Sequence, residues 1–205
     1  MSFIYYIDLL GTMVFAISGA MAANRNGIDV FGATFMGFVT AIGGGSLRDV
    51  FLNIRPVWVE DGTYLIAIFI GVILSIILNK QLDNFARTLF LFDAIGIGFF
   101  TVVGVEKSIA YESSAISAVM LGMFSACMGG VIRDILMNVT PLILRKEIYA
   151  SACLAGAIIY VLLSLTPLSD GIVAFISASV VFTIRFVSVK YNLSLPSVPM
   201  MENKS

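Results

Sequence analysis

AIGGGSLRDV, positions 41–50, sets three glycines, an arginine and an aspartate inside one of the most apolar parts of the chain. In a soluble α/β protein a glycine-rich stretch of this kind would wrap a phosphate at the start of a helix. Here GATFMGFVT precedes it and FLNI follows, with no βα unit around it, so the glycines fall within a hydrophobic helix. The arrangement occurs twice. ACMGGVIRDI, positions 126–135, repeats it in the second half of the chain, with Arg133 and Asp134 in the places of Arg48 and Asp49.

The surroundings of both motifs are those of a membrane protein. Of the 205 residues, 59% are hydrophobic and 12% charged, and the mean hydropathy is +1.00. A soluble domain sits nearer 45–50% apolar with about 25% charged. The charges collect in short patches between apolar runs of about 20 residues, the length needed to cross a bilayer as a helix. These runs predict seven spans, at 3–22, 28–54, 62–79, 88–106, 113–139, 147–165 and 170–189. The N-terminus, MSFIYYIDLLG, has no positive leader and no evident cleavage site, so the first run is expected to stay as a span. The segment 190–205 carries two prolines and little apolar content, which predicts a disordered tail.

Lys and Arg in the connectors set the orientation. Arg55 and Lys107 fall on the side of the N-terminus. Arg25, Lys80, Arg87, Arg145, Lys146, Arg185, Lys190 and Lys204 fall on the other, which places the N-terminus outside and the tail in the cytoplasm.

The shift that lays Arg48 on Arg133 superimposes more than the two motifs. Asp8 falls on Asp93, Gly11 on Gly96, Phe15 on Phe100, Asn53 on Asn138, Pro56 on Pro141, Tyr64 on Tyr149 and Gly71 on Gly156. Membrane composition alone aligns leucines and valines, not this ordered set of polar residues, glycines and prolines. The chain therefore divides into a first three-helix unit over 1–79, a second over 88–165, and a seventh helix over 170–189. An odd number of spans per unit turns the second upside down relative to the first. The expected fold is an all-α polytopic membrane protein, a 3+3 inverted repeat plus one helix, and such repeats commonly hold a transport pathway at their interface.

Each motif lies in the longest predicted span of its unit, 28–54 and 113–139. A straight helix of that length rises about 40 Å, against a hydrocarbon core of about 30 Å. Gly43, Gly44 and Gly45, with Gly129 and Gly130 in the second unit, are then bend points, or they let another helix approach closely. Arg48 and Arg133 cost at least ~2.5 kcal/mol each at mid-bilayer. They either snorkel to the nearer interface or face water or a partner. Asp49 and Asp134 follow directly, but helix neighbours point about 100° apart, so crosswise pairs, Arg48 with Asp134 and Arg133 with Asp49, are the expected arrangement.

Asp8 and Asp93 are either helix N-terminal charges favoured by the dipole or carboxylates at opposite mouths of a pathway. Phe15 and Phe100 are packing residues or hydrophobic constrictions. Glu106 and Lys107 read as an interfacial pair, and Trp58 and Tyr64 as an interfacial aromatic belt. Cys127 and Cys153 lie in apolar spans without metal-ligand spacing.

Other classes of function lack support. The chain has no histidine, and no nucleophile elbow, Walker motif or metal-ligand cluster. Catalysis is not expected, and neither is a bound metal. A net charge of −1 without a basic patch leaves no case for nucleic-acid binding.

GGGSLRDV and GGVIRDIL, at the same place in each unit of a three-plus-three-plus-one pattern, resemble the prokaryotic members of the TRIC (trimeric intracellular cation) channel family, sequences that also carry a glycine-transporter domain name. The resemblance covers almost the whole chain. It implies a homotrimer in the bilayer, each protomer with its own pore for monovalent cations, chiefly K⁺ and also Na⁺, and no cofactor beyond the permeant ion. It also implies that the second and fifth spans bend at their glycines and line the pore with the first and fourth, and that Arg48 and Arg133 face it. Met128 stands where the first unit has Gly43. A bacterial inner membrane is the expected setting, and a carrier for a small solute such as glycine is the alternative function.

Overall fold

The computed structural model describes residues 3–79 and 85–196. Among these, eight α-helices and one 3-10 turn follow in the order α1 (Phe3–Arg25), α2 (Val30–Phe51), α3 (Val57–Glu60), α4 (Thr63–Asn79), α5 (Phe85–Ala110), α6 (Ala115–Leu136), the 3-10 turn Leu142–Leu144, α7 (Ala150–Ser164) and α8 (Asp170–Lys190). Five of the described helices are long and apolar enough to cross a membrane: α1, α2, α5 from Thr88, α6 and α8. The apolar stretches Thr63–Leu78 of α4 and Ala150–Ser164 of α7 are shorter.

The boundaries of α2 and α6 coincide under the shift that relates the two units, and local chemistry explains why. Asp29 Oδ1 accepts the Gly32 N–H at 2.8 Å and Ser114 Oγ accepts that of Ser117 at 3.2 Å, so each helix begins on a side-chain cap. Each ends at an asparagine in the left-handed region, Asn53 at φ 57° and Asn138 at φ 54°. The following N–H groups then fold back. Ile54 donates to Asp49 O at 3.0 Å and Val139 to Asp134 O at 2.9 Å, closing the 6→1 bond of a Schellman turn.

These ends correct the expectation of spans over 28–54 and 113–139. Both helices have 22 residues, because the asparagine turns stop them before Pro56 and Pro141. At that length, about 33 Å, over-length no longer argues for a bend. The longest described helix is α5, with 26 residues.

Burial is inverted relative to a water-soluble bundle. Phe31, Phe69, Ile116, Leu162 and Phe175 face outward, while Asp8, Arg48, Asp49, Asp93, Arg133, Asp134 and Arg185 are buried. α1 and α5 form the centre. α1 packs on α2, α4 and α5; α5 packs on α6, α7 and α8; and α2 packs on α6.

The start of the expected disordered tail has a defined path. Ser194 forms an antiparallel bridge with Glu147, and Leu195 N donates to Lys146 O at 2.9 Å. The rest of that segment, 197–205, lies outside the described residues, as do Lys80, Lys204 and the side chain of Arg87.

Candidate functional site

The two glycine motifs meet. A Cβ on Gly44 of α2 would run into the carbonyl oxygen of Ser125 on α6, and one on Gly129 of α6 would run into that of Thr40 on α2. Thr40 and Ser125 are themselves equivalent positions of the repeat, so the contact is reciprocal. Only a hydrogen can occupy either position, which is the close-approach role of glycine. A Cβ on Gly43 would stand 2.7 Å from Ile132 Cδ1. Gly45 differs, for the nearest atom to its Cβ position is Arg48 Nη2 at 3.7 Å. Both helices stay helical through the glycines. Beside this crossing the Phe15 and Phe100 rings lie against each other with centroids 5.0 Å apart, joining α1 to α5.

On either side of the crossing lies a charged cluster. Arg48 Nε donates to Asp49 Oδ1 at 2.9 Å, with Nη2 at 2.8 Å from the same oxygen. Asp49 Oδ1 also meets Lys107 Nζ at 3.0 Å, and its Oδ2 accepts the Val57 N–H at 3.2 Å at the start of α3. The second cluster repeats this. Arg133 Nε and Nη2 both reach Asp134 Oδ1 at 2.9 Å, and Asp134 Oδ2 accepts the Leu142 N–H at 3.2 Å.

Each arginine thus pairs with its own neighbour, which corrects the expected crosswise pairs. The Cα vectors of neighbours do diverge, but the arginine side chain is long enough to fold back along its helix. The short helical turn after each span then holds the carboxylate's second oxygen. Both arginines are almost wholly buried, so neither snorkels.

Asp8 and Asp93 are not N-terminal dipole charges either. They sit in the second turn of α1 and the third of α5, and both are buried. Tyr64 Oη donates to Asp8 Oδ2 at 3.0 Å. Asp93 Oδ1 accepts from Arg133 Nη1 at 2.8 Å, and Ser18 Oγ accepts from the same nitrogen at 2.6 Å. Tyr64 is therefore an interior ligand of a carboxylate, not part of an interfacial belt. Trp58 Nε1 donates to Ser46 Oγ at 3.0 Å. Glu106 and Lys107 point apart, Glu106 accepting from Tyr160 Oη at 3.0 Å while Lys107 turns to Asp49. Cys127 and Cys153 are buried free thiols with Sγ atoms 3.9 Å apart.

The roles of three residues here escaped the sequence analysis. Ser18 and Lys107 have no like residue at the equivalent positions, where Val103 and Ala22 stand, so the repeat gave no signal for them. By the charge distribution along the sequence, Arg185 reads as a connector charge. It is buried within α8, donating to Ile148 O at 2.9 Å and lying over the Phe90 and Tyr149 rings. Its position inside the last turns of an apolar helix was the available sign.

The two clusters differ in access. A cavity of about 580 Å³ opens onto Asp93, Arg133 and Asp134 and is edged by Arg25, Arg185 and Asn192. At Asp8, Arg48, Asp49 and Tyr64, beside Phe100, there is only about 20 Å³.

Comparison with known proteins places the chain in a family and a fold. The family model described as Glycine transporter matches twice, over residues 5–80 and 90–164. A UPF0126 membrane protein of Vibrio cholerae is 38% identical over 198 residues, covering 96% of this chain and 83% of the relative. The UPF0126 inner membrane protein YadS of Escherichia coli is 37% identical over 203 residues, covering 98% of each. Among solved structures, the TRIC trimeric intracellular cation channel orthologue from Rhodobacter sphaeroides superposes with a TM-score of 0.89 at 29% identity, covering 94% of this chain and all of that one. A structure described as a basis for conductance through TRIC cation channels superposes at 0.84 with 30% identity, covering 98% and 99%.

Proposed function

Because this chain belongs to the prokaryotic TRIC (trimeric intracellular cation) channel family, the family also described by the glycine-transporter model, we propose that it is a passive channel for monovalent cations, K⁺ and also Na⁺. The pore lies inside each protomer, between α2 and α6, with α1 and α5 contributing Asp8, Phe15, Asp93 and Phe100. The observation that carries this is a pair of interior clusters of buried charged groups in a bundle whose outer surface is apolar. Such groups in a membrane interior mark ion pathways.

An arginine on a cation pathway is not a contradiction when its counter-charges outnumber it. Arg133 pairs with two carboxylates, Asp93 and Asp134, so that trio keeps an excess negative charge at the foot of the wide cavity. Arg48 and Lys107 stand with Asp49 and Asp8, which balances the narrow end. The wide cavity is also lined by Arg25, Arg145, Lys146, Arg185 and Glu147, so the negative trio is set among basic side chains, and the narrow end with Phe15 and Phe100 is the constriction.

The architecture of this channel is two inverted units, α1–α4 and α5–α7, followed by α8. The coincident ends of α2 and α6 and the doubled family match support it. Its seven spans are the five long helices with α4 and α7. The two units cross at Gly43, Gly44 and Gly129, while Gly45, and Gly130 at the equivalent place beside Tyr149, Arg133 and Asp93, stand off the crossing, and Gly45 is free to serve as the bend of α2. Protomers assemble as homotrimers in a bacterial inner membrane, N-terminus outside, and the permeant ion is the only small species required.

Purified protein in planar bilayers tests the reading. Unitary currents that reverse at the K⁺ equilibrium potential are expected. Saturable glycine uptake without unitary currents would establish the carrier, which the family description favours and no contact in the clusters singles out.

A further inference from the structure

The two charged clusters are built from equivalent residues of the repeat but are not in the same state. In the first, the aspartate of the central helix is held by a tyrosine: Tyr64 Oη to Asp8 Oδ2, 3.0 Å. Arg48 leaves Asp8 alone, and its Nη1 is buried without a hydrogen-bond partner among the described residues. In the second, the aspartate is held by the arginine: Arg133 Nη1 to Asp93 Oδ1, 2.8 Å. Here Tyr149 Oη and Asp93 Oδ2 are the buried atoms without a described hydrogen-bond partner.

We propose that Asp8 and Asp93 each exchange between a tyrosine and an arginine, and that this structure holds the first cluster in its tyrosine-bound setting and the second in its arginine-bound setting. The proposal deepens the channel reading by naming Tyr64 and Tyr149 as positioning residues for the pathway carboxylates. Each orphaned donor is the one the other setting would satisfy. A buried polar group left unpaired is costly, so Arg48 Nη1 and Tyr149 Oη each favour the exchange that would pair them. The groups are also close enough. Asp8, Arg48 and Tyr64 line one small cavity. Tyr149 Oη, Arg133 Nη2 and Asp93 Oδ1 lie 2.8, 3.6 and 3.6 Å from the point a Cβ on Gly130 would occupy, so the missing side chain of Gly130 leaves room for them to meet.

The unequal setting has a local cause. Arg133 has Ser18 as an additional acceptor, which anchors it where it reaches Asp93. In the first cluster Lys107 shares Asp49 with Arg48. Exchange alters what a passing cation meets, because only in the arginine-bound setting does the aspartate lie directly against a fixed positive charge.

The test uses the full chain in two arms. Tyr64→Phe removes one partner and Arg48→Gln the other, so the two substitutions are expected to move the open-time fraction in opposite directions, each by about fivefold, the weight of one buried hydrogen bond. Shifts in the same direction, or no shift, overturn the exchange. The structure of Tyr64→Phe decides independently, including if Arg48→Gln does not fold. Asp8 is expected within about 3.2 Å of the Arg48 guanidinium, and an Asp8 that stays in place overturns the proposal. Absence of unitary currents from the unsubstituted protein would count against the channel reading and leave this second arm to decide the exchange.

Discussion

Arg133 makes ion pairs with Asp93 and Asp134 and a hydrogen bond to Ser18, all with almost no solvent. Removing such a cation strands two carboxylates, and breaking a buried pair this way costs about 3–5 kcal/mol. Arg133→Gln is therefore expected to lower the thermal unfolding midpoint of the detergent-solubilised protein by many degrees, as read by tryptophan fluorescence or light scattering. An unchanged midpoint would show that the cluster stores no stability. Ser18→Ala removes one neutral acceptor and is expected to cost only about 1 kcal/mol. At this scale the repeat made the aspartates, arginines and glycines legible, because each appeared twice. Their partners were not. Whether Arg48 meets Asp49 or Asp134 depends on the path of a long side chain, and sequence spacing gives only the direction in which it leaves the helix.

At the scale of the element, the glycines of α2 do different work despite being adjacent. Gly44 lies against the backbone of Ser125, so Gly44→Ala must push α2 and α6 apart, an over-packing cost of about 1–3 kcal/mol. Gly45→Ala meets nothing closer than 3.7 Å, and the helix gains about 1 kcal/mol from alanine. If Gly45 is where α2 flexes in the working channel, that substitution raises the unfolding midpoint while lowering the open-time fraction. If both are unchanged or both rise, Gly45 is only a gap between side chains. Helix ends can be tested in the same way. Asn53→Val asks a β-branched residue to adopt φ 57°, a conformation costing roughly 1–2 kcal/mol, whereas Asn53→Gly is expected to be neutral. The positions of the elements could be read from hydropathy, but not their ends. A left-handed asparagine stops α2 and α6 while the apolar pattern runs on beyond it, which is why both spans were overestimated.

For the whole molecule, the distribution of Lys and Arg over the connectors predicts the 52–62 segment outside and the 26–29 segment inside. Gly62→Cys, with open space around its Cβ position, is expected to react with a membrane-impermeant maleimide added to intact spheroplasts, and Asn26→Cys only after lysis. Both native thiols are buried and give a low background. The reverse labelling pattern would invert the topology.

The reciprocal seat of Gly44 on Ser125 and Gly129 on Thr40 has an evolutionary corollary. Between two identical chains, a change on one side of a two-fold contact is a change on both, so every novelty must suit two places at once. A single polypeptide carrying both sides is released from that constraint. Lys107 against Ala22 and Ser18 against Val103 show the freedom in use, since each gives one cluster a group that its counterpart lacks. Covalent linkage of the two halves is thus what allows the two charged clusters to specialise while the crossing point between them stays matched.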